Sequence, residues 1–549
     1  MAWFPEIVAL RARAEPQRLA YRFQQGRAEP QTLTFAELWH VSSTLAQRMM
    51  QRGWRGERAL LVCRQERSFV IAFYACLLAG VVAVPTAAPR RRALHERLGL
   101  LADDAKVGVI LSDFDELLQS GFRLEAGDLP MLDVRTVVAD PACGFVVPQF
   151  SASDPAFLQY TSGSTGDPKG VVVSHANLID NSECIRRSMG LSAAASVLIG
   201  LPLFHDMGLV GGVLQSMYAG CTTTFLPPAE LVQYPERWLQ LISTLRITTS
   251  GGPNYMYALA AEHIPDAVLE DLDLSCWKVA FCGAEPIRAS TMERFCSRFA
   301  SAGFRRGTFY PCYGMAEATL FIAGGQVGEQ PRSVRRDAAD VVCCGQPADG
   351  THLCIVNVDT HRPVVEGEIG EIWVSGPSVA LGYWGREALT ASVFQASLAG
   401  DGPGAWLRTG DLGWLQAGSL YVSGRLKDLI ILNGRKYVPQ DIESAMEERV
   451  PAIRRGAVAA FAVADDRGER AVIVAELERE WWRKADAWPN LVDAARAAIR
   501  DAQGPHVEDI VFIRPGALPR TSSGKLRRSQ CRSDYLSGHF HALPADATA

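Results

Sequence analysis

The sequence predicts an α/β fold: a large N-terminal domain of two doubly wound α/β lobes plus a β-rich subdomain, then a small α/β C-terminal domain. Three observations predict it. Over roughly the first 300 residues, short runs rich in Val and Ile alternate with amphipathic stretches, the pattern of parallel sheets covered by helices on both faces. From about residue 341 to 424 the texture changes to short strands separated by Gly, Pro and Asp turns. Finally, 549 residues are more than one hydrophobic core organises.

Taken in order, the runs at 59–63, 81–84, 107–111, 196–201, 222–226 and 278–282 read as strands. Those at 35–51, 176–189, 236–245 and 290–299 read as helices. The stretch 69–89 contains no charged residue and is nearly long enough to cross a bilayer. Gly80 divides it, so a buried helix over 69–79 and a buried strand over 81–84 stopped by Pro85 are expected instead of a membrane span. Strands at 353–358, 371–375 and 419–422 make the β-rich unit. The resulting division is an N-terminal domain over 1–424 with its β-rich subdomain at about 341–424, a boundary at 425–428, a C-terminal domain over 429–538 and a loose tail over 539–549.

The formal charge of −5 is small for this length and argues against a generally basic nucleic-acid binder. Thirteen cysteines are scattered without a Cys-x-x-Cys pair, and the adjacent Cys343 and Cys344 suit an ordinary disulfide poorly. The opening residues carry Glu6 and too short an apolar run for an export signal, so reduced thiols in the cytoplasm are expected.

The most informative segment is Tyr160-Thr-Ser-Gly-Ser-Thr-Gly-Asp-Pro-Lys-Gly170. Gly163, Gly166 and Gly170 stand among Thr161, Ser162, Ser164 and Thr165, with Lys169 close by. Glycines let backbone N–H groups approach phosphate oxygens, hydroxyls add donors and a lysine supplies charge. Lys169 is followed by Gly170, which departs from the Walker A spacing. Gly163 and Gly166 are three apart, which departs from the hydrolase nucleophile elbow. On its own the string also describes a flexible surface loop.

Four further segments bear on that choice: Gly283-Ala-Glu-Pro286, Tyr310-Pro-Cys-Tyr-Gly-Met-Ala-Glu-Ala318, Arg408-Thr-Gly-Asp-Leu412 with Gly424-Arg-Leu-Lys-Asp428, and Pro519-Arg-Thr-Ser-Ser-Gly-Lys-Leu526. In this order, and with the first loop, they resemble the adenylate-forming superfamily of acyl-CoA synthetases, adenylation domains and luciferases. Phe157-Leu-Gln-Tyr-Thr161, Pro202-Leu-Phe-His-Asp-Met-Gly208, Ser250-Gly-Gly-Pro-Asn254, Gly376-Pro-Ser-Val379, Gly382-Tyr-Trp384 and Pro439-Gln-Asp-Ile-Glu443 are similar to the fatty acyl-AMP ligase branch.

The resemblance implies activation of a fatty or related carboxylic acid by ATP and Mg²⁺ to an acyl-adenylate, then transfer to the phosphopantetheine thiol of an acyl carrier protein or synthase carrier domain. Both substrates of the first step are anionic, so cationic and N–H donors must offset their repulsion. The implied ATP/AMP-binding positions are Thr161, Ser162, Gly163, Ser164, Thr165, Gly166 and Lys169, then Gly283, Ala284 and Glu285, then Tyr313 and Gly314, and last Asp411 and Arg425. Tyr313 would stack on adenine, with a core tyrosine as the other reading. Asp411 would accept both ribose hydroxyls. Glu317 matches the magnesium-binding glutamate, and a single acid suffices because Mg²⁺ takes one or two carboxylates plus phosphate oxygens. Lys525 matches the lysine that reaches the carboxylate and α-phosphate. His205 borders the acyl site and either positions the carboxylate or serves structure. Met207, Gly208, Gly251 and Gly252 are the candidate tunnel wall, and Lys427 the hinge.

Two features bear on the acceptor. The branch carries an extra segment before the β-rich unit, thought to restrict coenzyme A; Gly324 to Cys344 is short for it, which leaves coenzyme A open as an alternative acceptor. Arg514, Arg520, Lys525, Arg527, Arg528 and Arg532 crowd the C-terminal segment and would either steer an acidic carrier protein or form a solvated face. An amino-acid adenylation enzyme and a catalytically dead scaffold are the remaining rivals; the latter is disfavoured because Lys525, Glu317 and Asp411 are all present.

Overall fold

The structure, a computed structural model, describes residues 3–26, 28–88, 94–120, 123–124, 127–140, 144–161, 168–336, 339–400, 402, 404–432, 435–465, 468–502, 504–520 and 526–540. Among the described residues the larger sheet has nine strands. It runs from Gln346–Pro347 through Phe321–Gly324, Phe309–Gly314, Val279–Cys282, Thr249–Gly252, Ser196–Ile199, Thr222–Phe225 and Leu19–Phe23 to Gln31–Thr34. Its interior is parallel, as helical crossovers require, and antiparallel strands close both edges. The second sheet orders Lys169–Ser174, Pro155–Thr161, Val82–Ala87, Arg58–Cys63, Val109–Ser112 and Met131–Asp133.

The uncharged stretch after residue 69 is explained by its place between these sheets. The helix Glu66–Ala79 is buried on nearly every side and belongs to the core that both sheets share. Its Tyr74 hydroxyl lies 2.7 Å from that of Tyr21 in the larger sheet, and the helix packs against the helix Phe35–Gln51 and against the strands Arg58–Cys63 and Val82–Ala87 of the smaller sheet. Gly80 ends it in the left-handed conformation, φ 69°. Pro85 does not stop the next strand, which continues through it to Ala87. Pairing to Pro155–Thr161 is recorded at Ala83, before the proline, whereas pairing to Arg58–Cys63 runs on to Ala87, so the missing N–H falls where the strand leans on one neighbour. No described helix is long and apolar enough to cross a membrane.

The helix Phe35–Gln51 starts at a capping box of Thr34 and Glu37, and His175–Ser188 at one of Ser174 and Asn177. Four antiparallel strands, His352–Val356, Gly370–Ser375, Leu407–Gln416 and Ser419–Arg425, form the β-rich unit. The last continues through Gly424, and a 3₁₀ turn follows at Leu426–Asp428. From Ile430 onward the buried apolar residues pack among themselves on the two faces of a three-stranded sheet, Ile453–Asp465, Gly468–Leu477 and Val507–Ile513. The short segment from Gly324 to Cys344 carries a hairpin of its own, Ser333–Arg336 with Ala339–Val342, bridged to Arg288 and Tyr421. The described cysteines are unbridged.

The basic C-terminal stretch is not one surface. Arg527 and Arg532 are exposed, but Arg528 turns inward, donating to both oxygens of buried Glu443 at 2.9 and 2.6 Å and pairing with Asp428 at 3.4 Å. Arg288 ion-pairs with Glu447 on the same helix, so Arg528 holds one of two buried acids that tie this helix to its surroundings. Arg528→Glu should therefore destabilise the protein by about 3–5 kcal/mol, the scale for leaving a buried charge unpaired. Arg527→Glu should stay within about 0.5 kcal/mol. Equal melting temperatures for the two variants would contradict the assignment.

Candidate active site

A cavity of about 1480 Å³ opens where the C-terminal edges of the larger sheet, the β-rich unit and the segment after Arg425 meet. The loop from Ser162 to Gly166 lies outside the described residues, as do the Thr161 side chain and Lys525. The residues flanking both segments are described. Gln159 and Tyr160 on one strand and Lys169 on its antiparallel partner line the cavity, with Thr161 opposite Lys169 in register. Arg520 and Leu526, which bracket the Lys525 segment, line it as well. The Tyr160 hydroxyl donates to Asp104 at 2.6 Å, and Arg386 joins Asp104 at 2.8 Å to the Pro168 carbonyl at 3.3 Å, so both ends of the first loop are anchored to one network.

Tyr313 comes from the strand Phe309–Gly314 and Asp411 from Leu407–Gln416, and the fold brings them together. The Tyr313 hydroxyl donates to one Asp411 oxygen at 2.8 Å, and Arg425, opposite Asp411 in the β ladder, pairs with the other at 2.9 Å. Burial pushes the Tyr313 phenol well up, keeping it a donor. The turn that carries Asp411 is built from behind. Buried Glu371 accepts from Arg408 at 2.9 Å, from Trp373 at 2.9 Å and from the Gly410 N–H at 3.2 Å. Gly314 admits no side chain, since a Cβ there would fall 1.7 Å from the Leu320 carbonyl oxygen. Ala284 is held at φ 66° on the cavity wall, and Glu285 beside it accepts from the Tyr255 N–H at 2.6 Å. A left-handed alanine is a strained conformation of the kind that clusters at ligand sites. Gly283 packs toward Cys312, whose carbonyl would lie 2.8 Å from an added Cβ.

Glu317 is half-buried on the cavity wall, and its Oε1 accepts from the Tyr383 hydroxyl at 2.9 Å. Desolvation holds its carboxyl above the usual carboxylate range. Among the described residues no cation is within ion-pair distance of it, and no cluster of three or more His, Cys, Asp or Glu occurs. One recessed acid with its charge unmet, beside Lys169 and Arg425, fits a hard divalent cation shared with phosphate oxygens. Tyr383 also places its ring 5.5 Å from the Lys169 ammonium. Tyr383 lies in the string Gly382-Tyr-Trp384, 66 positions after Glu317, and nothing in the linear string pairs the two.

His205 caps the short helix Asp206–Gly208 and lines the cavity with its ring 4.7 Å from that of Phe204. Part of the cavity lining is apolar, with Ile185, Met189, Leu191 and Val197, and forms an apolar arm. Met207 lines that arm, but the three glycines expected to open it face protein. An added Cβ would lie 2.3 Å from the Pro202 carbonyl oxygen at Gly208, 2.0 Å from that of Phe281 at Gly251 and 2.2 Å from the Met256 sulfur at Gly252. Their missing side chains serve close packing of strand and turn. Gly211 and Gln215 line the arm instead. They follow Met207 at four-residue spacing, a helical period present in the sequence itself. Lys427 lies in the 3₁₀ turn at the cavity rim.

Residues 8–384 match the AMP-binding enzyme family. A medium-chain-fatty-acid–[acyl-carrier-protein] ligase of Moorena producens is 37% identical over 562 residues, covering 97% of this chain and 95% of that protein. A long-chain-fatty-acid–AMP ligase of Mycobacterium marinum is 33% identical, covering 98% of each. Among solved structures, a fatty acyl-adenylate ligase from L. pneumophila in complex with acyl adenylate and pyrophosphate superposes with a TM-score of 0.76 at 32% identity, over 98% of this chain and 96% of that one.

Proposed function

Because the chain belongs to the AMP-binding enzyme family, we propose that it activates a fatty acid with ATP as an acyl-adenylate and transfers the acyl group to the phosphopantetheine thiol of an acyl carrier protein. One observation carries the reading: a single cavity is lined both by the polar Tyr313, Asp411, Arg425, Glu317 and Lys169 and by the apolar Ile185, Met189, Leu191, Val197 and Met207. The ligase names of the relatives, and the acyl adenylate and pyrophosphate held by the Legionella enzyme, support it.

In the first half-reaction a carboxylate oxygen attacks the α-phosphorus, the bond to the bridging oxygen breaks and pyrophosphate leaves. In the second, the thiol loses its proton, the sulfur attacks the acyl carbonyl and AMP departs with the anhydride oxygen. Each residue has a task in this scheme. Tyr313 offers adenine a ring face while its hydroxyl holds Asp411, which keeps lone pairs for the ribose hydroxyls. Lys169, Arg425, Lys525 and the N–H groups of the loop at 161–166 offset the charge of triphosphate and carboxylate. Glu317, with one oxygen oriented by Tyr383, would hold Mg²⁺, which when bound neutralises phosphate charge. His205, on the cavity wall, orients the carboxylate. Lys427 is the hinge about which residues 429–538 turn between half-reactions.

Purified protein given ATP, Mg²⁺ and a fatty-acid series should release pyrophosphate only with acid present. With coenzyme A and a phosphopantetheinylated carrier in competition, acyl-carrier should be the main product. Acid-independent or absent pyrophosphate release overturns the activation, and acyl-CoA as main product overturns the acceptor. In the same assay Lys427→Pro should slow transfer more than pyrophosphate exchange; equal loss of both rejects the hinge.

A further inference from the structure

The apolar arm contains one polar residue that its surroundings do not explain. Met207, Gly211 and Gln215 lie at four-residue intervals along the helical run Asp206–Gly208, Leu209–Leu214 and Gln215–Ala219, and all three line the cavity. The middle segment is a π turn, which widens the helix just ahead of Gln215, a distortion frequent at functional sites. Gln215 is 1% exposed, and neither its Nε2 nor its Oε1 has a hydrogen-bond partner among the described residues. The wall around this end of the arm includes Ile185 and Met189, from a helix packed on the same run, with Leu191 and Val197. The next residue is the contrast: Ser216, facing away, bonds both the Gly212 carbonyl and the Thr223 hydroxyl.

A buried amide with no partner is a penalty that leucine or methionine at the same place would avoid. Such a group calls for a partner beyond the protein's own residues, and at a cavity wall a ligand can supply it. We propose that the arm is built for an acyl chain that carries a hydroxyl well away from its carboxyl end, recognised by the side-chain amide of Gln215. A hydroxyl is both donor and acceptor, so it can pair with either amide atom. Eight residue steps separate Gln215 from Met207, near the carboxyl end, and six of the intervening residues form the π turn, so the separation is at most roughly 12 Å, the value at the α-helical rise. The hydroxyl therefore belongs beyond the first several carbons and not beside the carboxylate. Gly211, between the two, leaves the chain room to pass, with only Leu320 close to its open side.

This inference rests on the acid-activation reading, and its test separates the two. Pyrophosphate exchange is measured with decanoic acid and its monohydroxy positional isomers, for the natural protein, Gln215→Leu and Gln215→Met. One isomer should exceed decanoic acid at least about tenfold in kcat/KM, and both variants should cut that ratio about tenfold or more, since a site built to bond a hydroxyl discriminates strongly against its absence. A melting temperature raised by ATP reports that each variant is folded. If every isomer performs no better than decanoic acid, or the ratio is unchanged in both variants, the proposal is overturned while acid activation stands. If no acid supports exchange, both fall.

Discussion

Lys525→Ala is expected to lower acid-dependent pyrophosphate exchange by about 10²-fold or more, the scale for losing an electrostatic donor to a transition state. The residue lies outside the described part of the structure, but its flanks do not. Arg520 and Leu526 both line the cavity and bridge each other across the segment that contains it. An ammonium delivered there would meet the carboxylate and the α-phosphate, where charge builds during displacement. ATP affinity, measured by titration, should change far less than the exchange rate, because the loss is of an interaction made mainly in the transition state. Exchange near the natural rate in the variant would remove Lys525 from the mechanism.

Glu317→Gln is the second large effect, also about 10²-fold in exchange rate, by loss of the charge that a divalent cation requires while the side chain keeps its shape. Stability should move the other way. The carboxyl is held above its ordinary range by desolvation, so its folded pKa exceeds its unfolded one. For an acid shifted in that direction, the folded state is penalised once pH rises past the unfolded pKa, and the penalty is complete above the folded pKa. Without Mg²⁺ or nucleotide, Glu317→Gln should therefore melt no lower than the natural protein near neutral pH and lose its relative advantage as pH falls toward 4. A lower melting temperature at neutral pH with unchanged exchange would mean that Glu317 serves structure and not the cation.

Much of the site was legible because its chemistry is local. The Tyr310–Ala318 string and the turn at 408–412 each carry their meaning in adjacent residues, and the structure brings their Tyr313 and Asp411 together, while the loop at 162–166 lies outside the described residues. The helix Phe35–Gln51 was readable to its ends, since period and capping box lie in one stretch of chain. What was misread depended on neighbours. Gly208, Gly251 and Gly252 look like space for a ligand, yet the atoms beside them come from Pro202, Phe281 and Met256. Arg528 looks like its exposed neighbour Arg527 until Glu443 and Asp428 arrive from 85 and 100 positions away.

The order of strands and helices, the glycine- and hydroxyl-rich loop, and the presence of one acid, one lysine and one aspartate in fixed strings were determined by the sequence alone. Backbone conformation and periodicity depend on neighbours a few residues apart. Only the tertiary structure decided that the Tyr313 hydroxyl serves Asp411, 98 residues on, and that Tyr383 orients Glu317, 66 residues back. It alone left Gln215 in an apolar arm without a partner. Hydrogen bonds and burial are set by which surfaces meet when sheets pack, and a linear string does not record those distances.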